Sequence, residues 1–366
     1  MKRTQIHGLK IFWIMLALLT PIGASAESEL QFDDIIRILS EKQFTYLGTK
    51  FIVDYTPTRR STTLMKVTND ASSGVQKREV SQIQAGESQI ILDDGQFLWH
   101  YIPSQASVVK KKRRVSFGDL SKRIRSLKDL IQQNYTVTIE NQQQQPTTSS
   151  EDRETQSSPV TGDVSVLFQP KMHDRPGWKI WIDRAHGLVV RSEVYDLNGD
   201  LAVLSAFSDL TFRPQLPEKA LKMTVPKGTT VTTSIEQTFQ SVNEAQKAVS
   251  FSISEPTYLP PGFILSSVLV SKTQQKERVQ LTYIDGMSPI SVFEDRHTVS
   301  APDVSDTSKE VAINSTVKGT FYDHGLLKIL NWQLTETVSI TLVGEVADTE
   351  LLNMAASIIN SDEEHP

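Results

Sequence analysis

The chain begins its patterned part with one helical stripe and then runs mostly in β-type alternation. Leu30, Ile35, Ile36 and Leu39 recur at helical spacing. Glu27, Glu29, Asp33 and Asp34 gather near the N-terminal end of that stripe, where acids suit a helix dipole. After Phe44 the pattern changes. Residues 44–47, 50–55, 61–67 and 78–83 are rich in aromatic and β-branched side chains and predict strands. Residues 89–92 and 97–101 flank Asp93-Asp94-Gly95-Gln96, and the Asp-Gly pair supplies the positive φ a hairpin needs.

One helix is expected to interrupt these strands. Leu120, Ile124, Leu127, Leu130 and Ile131 fall on a single apolar stripe, after a candidate cap at Ser116 with Asp119 three residues on. Lys122, Arg123, Arg125 and Lys128 lie opposite it, and the basic run from Lys110 to Arg114 lies just upstream. Residues 141–163 are dominated by Gln, Thr, Ser and acids, with almost nothing to bury, and read as a disordered insertion within a domain. Strands resume at 164–168 and 178–182. Two more, at 188–195 and 201–207, meet at Asn198-Gly199, so the run predicts an antiparallel meander.

Near Pro226 the pattern breaks again. Residues 226–248 read as a linker with a short helix starting at Ser241, where Glu244 completes a capping box. A smaller module follows from Val249 to the end. It has strands at 264–270, 279–284 and 290–294, others around 327–332 and 338–343, and a last helix capped by Asp348.

Composition changes the picture mainly at the start. Lys2, Arg3 and Lys10, the apolar run 11–19, the break at Pro21-Ile22-Gly23 and the small residues Ala24-Ser25-Ala26 have the layout of a secretory signal peptide. The apolar core is short for a membrane span of about 20 residues. The mature protein is therefore expected to start near Glu27 and to work in the periplasm or an otherwise exported compartment. The chain has no cysteine, so it holds together without disulfides and carries no lipid-modified cysteine. Its 38 basic residues fall to 35 when Lys2, Arg3 and Lys10 leave with the leader, against 43 acids, a formal charge of −8. That balance argues against a nucleic-acid partner.

No constellation of residues marks a catalyst. The seven histidines are scattered and none has a partner at metal-ligand spacing. No nucleophile elbow and no phosphate-cradling glycine loop is present. His173-Asp174 imitates half of a triad, but no serine partner is marked, and a surface turn before Pro176 explains the pair. The expectation is a non-enzyme without cofactor or metal. Two readings stand for the basic stretch Lys110 to Lys128: a recognition patch for an acidic partner or lipid phosphates, or a solvated helix face and loop. Two also stand for the tryptophans. Trp178 shares a strand face with Ile180 and Ile182 while Trp181 falls on the other. Such a strand is either covered on both sides or opens one side to a ligand.

Asp94-Gly95-Gln96-Phe97-Leu98-Trp99-His100-Tyr101-Ile102-Pro103, the basic segment after it, and 177–183 with 187–196 resemble the N-terminal domain of the MucB/RseB family of exported sigma-factor regulators. Tyr258-Leu259-Pro260-Pro261-Gly262-Phe263, Tyr283-Ile284-Asp285-Gly286, Ser291-Val292-Phe293-Glu294 and Val343-Gly344-Glu345-Val346 are similar to that family's small C-terminal domain. The resemblance implies an α+β protein. Residues 27–225 would form a LolA-like antiparallel half-barrel plugged by helices, and 249–366 a small α+β domain. It also implies a non-catalytic regulator, peripheral to the membrane, that binds the extracytoplasmic domain of an anti-sigma factor in the envelope stress response. Such a regulator would sense the acyl chain of a lipid or lipoprotein. The alternative it implies is a lipid or lipoprotein carrier of the LolA type. On this reading Trp99, Trp178 and Trp181 are the candidate lipid-binding residues, and Lys111, Arg113, Arg123 and Arg125 the candidate partner-binding residues.

Overall fold

The computed structural model describes residues 30–41, 44–57, 60–83, 85–113, 120–141, 164–217, 219–233, 235–272, 277–296 and 308–363. The expected leader lies outside them, as do Ser116, Asp119 and all of the polar insertion except Asn141.

The first unit starts with α1 (Phe32–Glu41), whose acids Asp33 and Asp34 sit in the first turn. Six strands follow in chain order: β1 (Tyr46–Asp54), β2 (Ser61–Asp70), β3 (Val75–Gln82), β4 (Ser88–Asp93), β5 (Phe97–Ile102) and β6 (Ser107–Lys112). Next come α2 (Leu120–Ser126) and α3 (Lys128–Asn134). The unit closes with β7 (Tyr135–Asn141), β8 (Val164–Pro170), β9 (Gly177–Asp183), β10 (Leu188–Tyr195), β11 (Leu201–Phe212) and β12 (Thr230–Thr233). All twelve strands make one open sheet in the order β12-β6-β5-β4-β3-β2-β1-β11-β10-β9-β8-β7. Every pairing is antiparallel except β12 on β6.

The expected hairpin at Asp94-Gly95 joins β4 to β5. Gly95 takes φ 90°, and Asp94 Oδ1 accepts from the backbone N–H groups of Gln96 and Phe97. The single helix expected over 120–131 is two, because Leu127 leaves helical geometry at φ −120°, ψ 23°. The apolar stripe survives the break. Phe32, Ile35, Leu39, Ile124 and Ile131 are buried against Val164, Val166, Phe168, Ile180 and Ile182 of β8 and β9. Fully burying one such side chain contributes about 1.5–3 kcal/mol, so this layer fixes the three helices on the β7–β10 end of the sheet.

The second unit contains β13 (Ile235–Phe239), α4 (Val242–Gln246), β14 (Ile264–Lys272), β15 (Glu277–Ile284), β16 (Pro289–Arg296), β17 (Ser308–Ala312), β18 (Lys318–His324), β19 (Leu327–Gln333), β20 (Val338–Gly344) and α5 (Asp348–Glu363). Its sheet runs β13-β14-β15-β16-β20-β19-β18-β17. Leu351, Met354, Ala355, Ile358 and Ile359 of α5 complete a core with Val268, Leu281, Val292, Leu330 and Ile340. The mixed α+β class expected from the sequence is what the two sheets and their helices form. Among the described residues no helix is long and apolar enough to cross a membrane.

The linker expectation for 226–248 needs correction. The capping box at Ser241 is present, with Ser241 Oγ accepting from Glu244 N–H at 3.3 Å. The preceding residues, however, are strands. β12 joins the first sheet and β13 the second, and Ala245 of α4 is buried in the second core. Backbone pairing on both sheets outweighs the loop-like Lys-Gly-Thr-Thr composition.

β7 and β8 pair directly, with Asn141 opposite Val164. Residues 142–163 therefore connect two strands of one hairpin. Replacing them by an Asn-Gly turn is expected to shift the melting temperature by less than about 5 °C, since shortening a loop changes closure entropy only slightly. A larger drop in a thermal melt would give the segment a structural role.

Candidate functional site: the joint between the units

The two sheets meet where turns of the second unit seat on α3 and on the β8–β9 turn of the first. The turn Ile284-Asp285-Gly286-Met287-Ser288 is set locally. Asp285 Oδ1 accepts from the N–H groups of Met287 at 2.8 Å and Ser288 at 2.7 Å, and Gly286 takes φ 106°. This geometry frees Asp285 Oδ2 to face the first unit. Tyr135 donates its hydroxyl proton to it at 2.7 Å and Arg175 Nη1 lies at 3.2 Å. The side chains of Arg175 and Asp285 are both fully shielded from water.

Arg175 is held from every side. Its Nε and Nη2 meet the two oxygens of Asp174 at 2.7 and 3.0 Å. Nη2 also donates to the Pro261 carbonyl at 2.6 Å, and the guanidinium lies 4.9 Å from the Phe263 ring centre. Burial opposes its charge, but the carboxylates of Asp174 and Asp285 more than offset that and hold its pKa above the ordinary value. Burial, with Asp285 adding to it, pushes the Tyr135 hydroxyl well up, so it stays a proton donor. Asn134 Nδ2 donates to the carbonyls of Gly262 and Asp285 at 3.0 and 2.9 Å. The Asp174 carbonyl accepts from Ala347 N–H at 2.8 Å.

Packing reinforces the polar contacts. Met287, from the second unit, is fully buried in the first unit's helix-covered core. Gly286 and Gly262 are glycines because there is no room for more: a Cβ at Gly286 would fall 2.7 Å from Ile131, and one at Gly262 would fall 1.9 Å from Asn134 Oδ1. Motif residues that mark the small domain in sequence, Pro261, Gly262, Asp285 and Gly286, are thus the residues that seat it. Arg175 carried no signal in the sequence; Asp174 did, but as half a triad. His173 is exposed and Asp174 is bound to Arg175.

The expected site residues fall in separate places. Trp178 faces the helix-covered core beside Ile180 and Ile182. Trp181 alternates to the other side, with Lys179 Nζ and the Arg191 guanidinium 5.2 and 4.8 Å from its ring centre. Trp99, on β5, donates its indole N–H to Asp94 Oδ2 at 2.7 Å and lies under Lys110 at 4.3 Å. Six strands separate β5 from β9. Alternation puts Trp178 and Trp181 on opposite faces of β9, and Trp99 lies on a strand far from β9 in sheet order. Between α1 and β7 an open groove of about 480 Å³ is lined by Leu30, Phe32, Tyr135, Val137 and Ile139 together with Gln31, Asp33, Gln132 and Thr138, so that its exposed surface is mostly polar.

The basic stretch also divides. Arg123 donates to the carbonyl of Met287 and Arg125 to that of Leu39. Both guanidiniums are engaged within the fold. Lys111 meets Glu236 at 3.5 Å and Arg113 meets Asp93 at 3.0 Å, at the exposed end of β6. Arg123→Gln and Arg125→Gln are each expected to destabilise the protein by about 1.5–3 kcal/mol, the range for charged hydrogen bonds. Lys111→Gln and Arg113→Gln should each change stability by less than about 1 kcal/mol, as exposed ion pairs do. Denaturant titrations of the four variants check the split.

The geometry defines a class: a two-unit, two-sheet protein whose units are locked by a buried ion pair. Residues 55–225 match the family model of the MucB/RseB N-terminal domain. The structure is similar to the crystal structure of MucB in complex with MucA(peri), at TM-score 0.51 and 18% identity, over 89% of this chain and 98% of that one. It is similar also to the Pseudomonas aeruginosa MucA/MucB complex, at TM-score 0.50 and 17% identity, over 89% and 97% of the two chains. A LolA superfamily protein from Nitrosomonas europaea matches at TM-score 0.25 and 13% identity, over 53% and 99%, too distant to carry an argument. No curated protein matches the chain.

Proposed function

We propose that this protein is an exported, non-catalytic regulator that binds the periplasmic part of a membrane-anchored anti-sigma factor in envelope-stress signalling. The observation that carries this reading is the likeness to MucB, solved in complex with MucA(peri), across both units. The test mixes the mature chain with the periplasmic part of a one-span anti-sigma protein encoded in the same genome. Calorimetry is expected to show saturable binding. No heat and no co-elution with any such candidate would overturn the reading.

The regulator would release its partner when an acyl chain enters the helix-covered face. Support comes from two features: the groove between α1 and β7, and the Trp178 indole N–H, which is buried there without an acceptor among the described residues. An ester or amide carbonyl of an amphiphile would satisfy it. Release requires the ligand to bind the partner-free state better than the complex. Affinity should rise by about 0.8 kcal/mol per buried CH₂. Titrating fatty-acid analogues of increasing length while following tryptophan fluorescence tests this, and affinity that ignores chain length sinks it.

A further inference from the structure

β12 (Thr230–Thr233) pairs with β6, and β13 (Ile235–Phe239), one residue further along the chain, pairs with β14. β12 is a weak occupant of its edge. It has four residues, all exposed, and a parallel ladder, which is slightly less stable per residue than an antiparallel one. The edge beneath it is better built. Val108 of β6 is fully buried, and Lys110, Lys111, Lys112 and Arg113 follow in sequence in a mature chain of formal charge −8. The strap brings its own counter-charge, because Glu236 reaches Lys111 at 3.5 Å with its side chain almost wholly shielded.

From this we infer that the β6 edge is a docking site for an acidic, extended polypeptide segment, and that β12 with Glu236 is its internal stand-in. An incoming strand would take over the backbone pairing of Thr230–Thr233 along Ser107–Lys110 and place a carboxylate at Lys111, as in other strand-addition complexes. Thr233 lies opposite Lys110, so an acid at that position adds a cross-strand pair. The partner's being a polypeptide rests on the regulator reading above; the edge and its charge do not.

The probe is a synthetic peptide with the sequence of residues 229–238. The host is the full mature chain carrying Thr230→Pro and Thr232→Pro, which removes the β12 N–H groups that face β6, of which Thr230 N–H donates to the Ala106 carbonyl. Both positions are exposed, so the fold should persist, and circular dichroism checks it. Fluorescence anisotropy is expected to show saturable binding. A peptide with Glu236→Lys should bind at least about tenfold weaker, and one with Thr233→Glu tighter. A host that also carries Lys111→Glu should invert the preference. If the proline host does not fold, hydrogen exchange of Ser107–Lys110 amides in the unmodified protein, with and without excess peptide, gives the same reading. No binding, or binding indifferent to charge, would overturn the inference and leave β12 as a guard for an exposed edge. Peptide binding without any anti-sigma partner would overturn the regulator reading and leave the edge standing; partner binding without peptide binding would do the reverse.

Discussion

Asp285→Ala should lower the stability of the whole protein by about 3–5 kcal/mol, the cost of leaving one member of a buried ion pair alone. The substitution removes the acceptor that Tyr135 and Arg175 share and strips the turn of the oxygen that accepts from Met287 and Ser288. Arg175 keeps Asp174 and the Pro261 carbonyl, so its charge remains in place, shielded and half compensated. The discriminating variant is the pair Arg175→Leu with Asp285→Ala. Removing both charges takes away the desolvation penalty together with the attraction, so the double variant should be more stable than Asp285→Ala alone. Urea titrations of the wild type, Asp285→Ala, Arg175→Leu and the double variant decide it. Strict additivity would mean that the ion pair is not what couples these residues.

Gly286→Ala is expected to act at the same joint by a different mechanism. The backbone there has φ 106°, where an alanine is strained, and the new methyl would meet Ile131 Cγ1 at 2.7 Å and the Ile131 backbone nitrogen at 2.9 Å. A backbone atom cannot swing aside as a side chain can. Strain of about 1–3 kcal/mol and overpacking of about 1–3 kcal/mol both fall where the second unit meets Ile131, at the margin of the first unit's core, and leave the second unit's core untouched. The variant should therefore retain two folded units while the joint loosens. Hydrogen exchange should accelerate at Ile131 and Ala347 and stay slow in α5. Uniform acceleration throughout both cores would show that the turn supports its own sheet and not the seating of one unit on the other.

Much of the local structure was legible in the sequence because local rules decided it. The acidic start and apolar stripe of α1, the Asp94-Gly95 turn, the Ser241 capping box and the Asp348 start of α5 each need only neighbouring residues. Strands without an apolar alternation of their own were not legible. β12 has the composition of a loop and is a strand because β6 offers it an edge; β17 and β18 are similar, whereas β7 does alternate, with Tyr135, Val137 and Ile139 on its core side. The candidate site was legible only as disconnected motifs. Nothing near Arg175 announces that Asp285, 110 positions away, will neutralise it. Likewise, a count of charges along α2 cannot reveal that Arg123 and Arg125 have carbonyl acceptors on other elements.

The run from Thr230 to Phe239 leaves almost no spare chain between the sheets, since β12 ends at Thr233 and β13 begins at Ile235. While β12 stays paired, the tether holds the two faces of the joint at high effective concentration. Freeing its four residues would add about 13 Å of reach, at roughly 3.3 Å per residue, and that concentration would fall. Any ligand that takes the place of β12 is therefore linked to the Arg175–Asp285 contact some distance away. By reciprocity, a protein with a weakened joint should give up its strap more easily.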